Sequence, residues 1–101
     1  MSEIHEHLKV RLAGYPLYSQ SRKYDPLVSA KLYCAYSEAR WYVTEYDPDK
    51  RIAFGYVIGT GDGEWGYVSV DEMEECRVAG GFKAIFVDQS FVPTQFFKLS
   101  T

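Results

Sequence analysis

The spacing of apolar residues changes along the chain, and each change marks a different kind of element. Ile4, Leu8 and Leu12 recur every fourth residue, which places them on one stripe of a helix. Ser2 stands where it can cap the start of that helix, and Gly14 where it can end it. Leu8, Val10 and Leu12 also alternate, so a strand stays open for the second half, but a short helix accommodates the whole segment. Gly14-Tyr15-Pro16 then breaks the chain, and the polar run from Ser19 to Asp25 is expected to be loop.

From Pro26 the period becomes two. Val28, Ala30, Leu32 and Cys34 alternate with Ser29, Lys31 and Tyr33, the pattern of a half-buried strand. Ser37 to Ala39 makes a turn, and Arg40 to Tyr46 is a second strand rich in β-formers. Asp47-Pro48-Asp49-Lys50 interrupts it, because proline fixes φ and donates no ladder bond. Ile52, Phe54, Tyr56 and Ile58 form the alternating set of a third strand. Connections this short imply antiparallel neighbours, hence a meander.

Gly59-Thr60-Gly61-Asp62-Gly63 reads as a flexible loop, followed by a short fourth strand from Gly66 to Ser69. Ser69 with Glu72 three residues on fits a capping box, which predicts a helix from Val70 to Arg77. Val70, Met73 and Cys76 would face the sheet, while Asp71, Glu72, Glu74 and Glu75 face water. Gly80-Gly81 ends that helix, Phe82 to Val87 reads as a fifth strand, and Pro93 starts a terminal helical turn. The expected fold is α+β: a four- to five-stranded antiparallel meander with an N-terminal helix and a helix after strand four. It forms a single small domain over residues 1–101.

Composition changes this picture in three ways. Aromatic residues make up 17% of the chain, including nine Tyr and six Phe, which suits a thin sheet with one wet face or a binding surface. The net charge of −3 argues against sequence-independent nucleic-acid binding, which runs on clustered Lys and Arg, but leaves a local basic patch open. Two cysteines are too few for a disulfide framework, no apolar run approaches a membrane span, and MSEIHEHLKV lacks a signal-peptide core. The chain is therefore expected to be cytoplasmic, with Cys34 and Cys76 reduced.

Most chemistry-bearing residues have an ordinary explanation. Asp47, Asp49, Asp62 and Glu64 lie in loops, but antiparallel strands put successive loops at opposite ends, so the residues read as solvated turns rather than ligands. The glycine-rich loop leads into a strand, whereas a phosphate cradle needs a following helix N-terminus. His5 and His7 sit two apart and point to different sides of a helix, and Cys34 reads as core. Glu45 is expected to share a strand face with Trp41 and Val43 and to pair with Arg51 across the hairpin. Basic and aromatic residues interleave at Arg22-Lys23-Tyr24, Lys31-X-Tyr33 and Arg40-Trp41-Tyr42, a pattern that serves a wet sheet face and also single-stranded nucleic acid.

One further pattern runs through the chain. An X-Asp-Pro-X-Val entry to a strand precedes Trp41-Tyr42-X-Thr44-Glu45-X-Asp47; then come Phe54-Gly55-X-Val57-X-Gly59 and Glu64-X-Gly66-Tyr67-X-Ser69-X-X-Glu72-Met73. This order resembles the small bacterial and phage family DUF2958, whose members occur on plasmids, phages and conjugative elements. The likeness covers about Pro16 to Val87. It implies a mobile-element protein and an α+β fold, and supplies no catalytic residues to carry over. Family members usually have leucine where Met73 stands.

The expected function is that of a phage or mobile-element accessory protein that binds another protein, plausibly as an inhibitor of a host defence system. Tyr33, Arg40, Trp41, Tyr42, Tyr56 and Trp65 are the expected partner-binding residues, since Tyr, Trp and Arg carry much interface energy. No catalytic group, metal or cofactor is expected. Two alternatives stand beside this one: a small-ligand or single-stranded nucleic-acid binding domain, and a metal-dependent enzyme using loop carboxylates. A homodimer through exposed edge strands also stays open.

Overall fold

The computed structural model describes residues 3–59 and 61–99. The first helix, α1, runs Glu3–Arg11 and buries Ile4 and Leu8, with Leu12 below them, so the four-residue stripe is its packing face. The Ser2 cap lies outside the described residues. Leu27–Val28 forms β1 and Ala30–Cys34 forms β2. The expected first strand is thus split at Ser29, whose N–H leaves the ladder to donate to the Val43 carbonyl at 3.0 Å.

Three long strands follow, β3 (Arg40–Asp47), β4 (Ile52–Ile58) and β5 (Glu64–Ser69). The Asp47-Pro48-Asp49-Lys50 segment between β3 and β4 is a turn. An Asp47 carboxylate oxygen accepts from the N–H groups of Asp49 and Lys50, at 3.0 and 3.1 Å, and the turn closes with Arg51 at φ 56°. Helix α2 spans Val70–Glu75, capped by the Ser69 hydroxyl, which accepts from Glu72 N–H at 3.3 Å. It stops two residues before Arg77. Gly80 and Gly81, with φ of +90° and +81°, do not end the helix; they turn a small hairpin that bridges Arg77 to Lys83. Strand β6 is Ile85–Val87, shorter than expected because that hairpin takes Phe82 and Lys83.

The sheet order is β5-β4-β3-β2-β6 with every pair antiparallel. The first four strands are the expected meander. The fifth does not extend it past β5: α2 carries the chain across the sheet, and β6 pairs with β2 at the far edge. Both helices lie on one face, where Ile4, Leu8, Val70 and Met73 meet Ala30, Leu32, Val43, Tyr46, Ala53, Ile85 and Val87 in one core. A second, smaller layer covers part of the other face. It consists of β1 paired with β7 (Thr94–Gln95) and a 3-10 turn at Phe96–Lys98, a pairing the sequence pattern did not suggest.

Candidate functional site: an aromatic face with a cleft

The face of the sheet opposite the helices carries the side chains that the chemistry of the chain singles out. Cross-strand register builds it in rows. Phe86, Tyr33, Arg40 and Ile58 form one row, and Lys31, Tyr42, Tyr56 and Trp65 the next. Between Val43 and Glu45 the β3–β4 register shifts by one residue, a β-bulge at Thr44. The side-chain period is two, so one extra residue turns the rest of β3 over. Glu45 therefore lies opposite Phe54 on the outer face, in a third row with Tyr67, and not beside Trp41 and Val43 as strict alternation predicted.

Glu45 is fully buried, and its partner is not Arg51. Arg51 pairs with Asp71 at 3.1 Å instead. The Glu45 carboxylate accepts from Tyr18 N–H at 2.7 Å, Gln20 N–H at 2.9 Å and the Ser21 hydroxyl at 3.0 Å. Together these three hydrogen bonds replace the water that the buried group loses. They fold the 18–21 loop down over β3 with Tyr18 in the left-handed region at φ 74°. Gln20 completes the latch: its amide donates to the carbonyls of Leu27 and Thr44, at 2.9 and 2.7 Å, and accepts from Leu27 N–H at 2.8 Å.

Asp25 fixes the other wall. It accepts from Phe97 N–H at 2.8 Å, and Gln95 donates to its carbonyl at 2.9 Å, while Phe96 N–H bonds the Pro26 carbonyl at 2.9 Å. The C-terminal segment is thereby laid across β4 and β5, with Phe96 against Tyr56 and Trp65 at centroid distances of 5.0 and 4.8 Å. Between the two walls lies a cleft of about 270 Å³, lined by Gln20, Ser21, Lys23, Tyr24, Pro26, Phe54, Trp65, Phe96 and Phe97. Trp65 stacks on Phe54 at 5.7 Å on its floor, and Tyr24 leans on Phe97 at 5.0 Å at its mouth. Tyr24, Trp65, Tyr67 and Phe97 are between 39% and 88% exposed. The Tyr67 phenol is held above its ordinary pKa, first by desolvation and then by the Tyr18 hydroxyl and Glu45 beside it.

The expected partner-binding residues are divided by this geometry. Tyr33, Arg40, Tyr42, Tyr56 and Trp65 share the outer face. Trp41 is on the opposite face, packed against the core beneath the helices. Tyr33 and Trp65 are exposed and Arg40 and Tyr56 half-buried, but Tyr42 is buried, with Lys31 over its ring at 5.7 Å and Phe91 against it at 6.3 Å. Pattern reasoning missed Tyr24, Phe96 and Phe97 as cleft walls. The Asp25-Pro26 pair was visible, but nothing in it told that it would clamp a segment some 70 residues away.

The other candidates are placed plainly. The Asp47 turn and the Asp62–Glu64 loop sit at opposite ends of β4, and among the described residues no three His, Cys, Asp or Glu side chains gather as metal ligands. His5 meets the Tyr46 hydroxyl at 2.7 Å. His7 lines an open groove along α1 with Glu3, Glu6, Val10, Arg11 and Gln89, and burial lowers its pKa, with Arg11 adding to the effect. The Cys34 thiol is lowered by the Ser37 hydroxyl and by backbone N–H groups at Tyr36 and Ser37, while Cys76 is exposed. Among the described residues no helix is long and apolar enough to cross a membrane.

A family model for proteins of unknown function, DUF2958, matches residues 4–100, and the chain belongs to that family. No curated protein and no solved structure matches it.

Proposed function

We propose that this DUF2958 protein is a protein-binding accessory module that engages its partner through the outer face of the sheet. One observation carries the reading: exposed Trp65 and Tyr67 stand on β5, which pairs with β4 on one side and with no strand of the described residues on the other, directly beside the ring-lined cleft. Natural edge strands are usually blunted by lysine, proline or a bulge; β5 has none of these, and only Glu64 at its start carries charge. An extended segment of a partner gains main-chain hydrogen bonds from such an edge and specificity from adjacent side-chain pockets. An accessory role on a mobile element, inhibition of a defence system included, needs such a face and no catalytic group.

The test is capture from nuclease-treated lysate of the source organism, comparing the wild-type chain with Tyr24→Asp and Tyr67→Asp. Tyr24 is 88% and Tyr67 53% exposed, and urea unfolding of each variant checks that the fold is kept. A protein retained by the wild type and lost by both variants supports the reading. Capture that ignores the two changes, or that disappears with nuclease, refutes it.

A further inference from the structure

Trp65 and Tyr67 share the outer face with Tyr56 and Phe54, so the alternate residues of β5, Glu64, Gly66 and Val68, belong to the helix side of the sheet. On that side the strand borders a groove of about 310 Å³ between α2 and the sheet. Trp41, Val68, Met73, Cys76 and Ile85 line it, together with the exposed Glu72. Gly66, next to Val68 on this face, leaves further room: a Cβ there would meet no heavy atom within 4 Å. An added strand along the β5 edge would send alternate side chains to the two faces. One set meets the rings of Trp65 and Tyr67, and the other reaches the groove.

Charge selects the occupant. Residues 52–76, which include β4, β5 and α2, hold six carboxylates and no Lys or Arg. Asp71 pairs with Arg51 at 3.1 Å and Glu74 with Lys83 at 3.6 Å. Asp62, Glu64, Glu72 and Glu75 meet no cation among the described residues. Glu64 stands on β5 in the row of Trp41 and Val57, and Glu72 lines the groove. A second copy of the chain is a poor fit, because antiparallel self-pairing of β5 sets the Asp62–Glu64 end against the Asp71–Glu72 end, like charge on like. A long cationic side chain suits both parts of the groove: its methylenes lie on the apolar lining and its charged head stays in the wet mouth. We infer, on the protein-binding reading, that the β5 edge takes a basic extended segment of the partner, one lysine or arginine of which lays its stem between Trp41 and Met73 and its cation against Glu72.

The probes are three end-capped peptides: Val-Lys-Val-Lys-Val-Lys, the same with glutamate for lysine, and the same with diaminopropionic acid, which keeps the cation on a much shorter stem. Each is titrated into the isotope-labelled protein at physiological ionic strength. The lysine peptide shifts the Trp41 indole N–H and the amides of residues 64–69, and binds at least about tenfold more tightly than the glutamate peptide. The short-stemmed peptide binds at least about fivefold more weakly than the lysine peptide, as loss of buried methylenes requires. Glu72→Gln, at an exposed side chain, weakens the lysine peptide by about two- to fivefold, while Glu75→Gln, off the groove, leaves it unchanged. Equal binding of the lysine and glutamate peptides, or of the long and short cations, overturns the inference. So does an equal loss from Glu75→Gln, or no shift at millimolar lysine peptide. Self-association that protects the β5 amides gives the edge to a second copy and overturns it as well. If the lysine peptide fails while Tyr24→Asp and Tyr67→Asp still abolish capture of a protein, the binding reading stands and only the basic segment is wrong.

Discussion

Replacing Glu45 by alanine tests the device that shapes one wall of the cleft. The change removes the acceptor for two backbone N–H groups, of Tyr18 and Gln20, and for the Ser21 hydroxyl. A buried donor left unpaired costs roughly 1–3 kcal/mol. Gln20 is nearly inaccessible and suffers most of that cost, whereas Tyr18 is exposed enough for its N–H to find water. Ser21 can rotate its hydroxyl outward. The sum is a loss of about 3 kcal/mol, with about half that for Glu45→Gln, which keeps one acceptor but turns an NH₂ toward a donor. Against a total stability of roughly 5–15 kcal/mol the variant still folds. Urea unfolding of wild type, Glu45→Ala, Glu45→Gln and the exposed control Glu38→Ala measures the effect, and hydrogen exchange at Gln20 reports whether the loop has opened. A Glu45→Ala protein within about 0.5 kcal/mol of the control, with Gln20 still protected, would show that the three bonds do not hold the loop.

Two more consequences are local and sharp. A Cβ on Gly55 would sit 2.2 Å from the Tyr42 carbonyl oxygen and 2.9 Å from the Val43 Cα, so β3 itself must move. Gly55→Ala should destabilise by about 3 kcal/mol and lower the melting temperature by more than about 10 °C, while Gly66→Ala, which points into open space, changes it little. The Tyr46 phenol is pushed up to about 12 by burial, from an ordinary value near 10. The folded state therefore holds this proton more tightly. The contribution is complete below pH 10 and is lost between about pH 10 and 12, by up to roughly 3 kcal/mol. Tyr46→Phe should show a shallower decline in stability over that range in urea titrations at stepped pH, and an equal decline would contradict the assignment.

Hydropathy period was enough to place α1 and the strands of the meander, and the Ser69–Glu72 spacing placed the start of α2. The period misled where a local event broke it. The bulge at Thr44 is invisible to a two-residue count, yet it moved Glu45 from the core side to the outer face and separated it from Arg51. The site was legible only in part for the same reason. Alternation grouped Arg40 with Tyr42 and Lys31 with Tyr33, and the sheet kept those groupings. Trp41 could not be assigned a face until the helices showed which side they cover. Tyr24, Phe96 and Phe97 reach the cleft through long-range contacts of Asp25 that no local pattern encodes. The residues that carry the family likeness now have physical roles: Asp25 clamps the C-terminal segment, Glu45 latches a loop, Gly55 permits close approach of β3, and Ser69 caps α2.

The most direct measurement places a photoreactive benzoylphenylalanine at four exposed positions in turn and irradiates each protein in nuclease-treated lysate of the source organism. Tyr24 and Tyr67 report the outer face; Val10 and Glu75 report α1 and α2 on the other side. The account predicts one protein adduct of the same mass increment from positions 24 and 67, and none from 10 and 75. An adduct formed from the helix positions instead, or equally from all four, would contradict it.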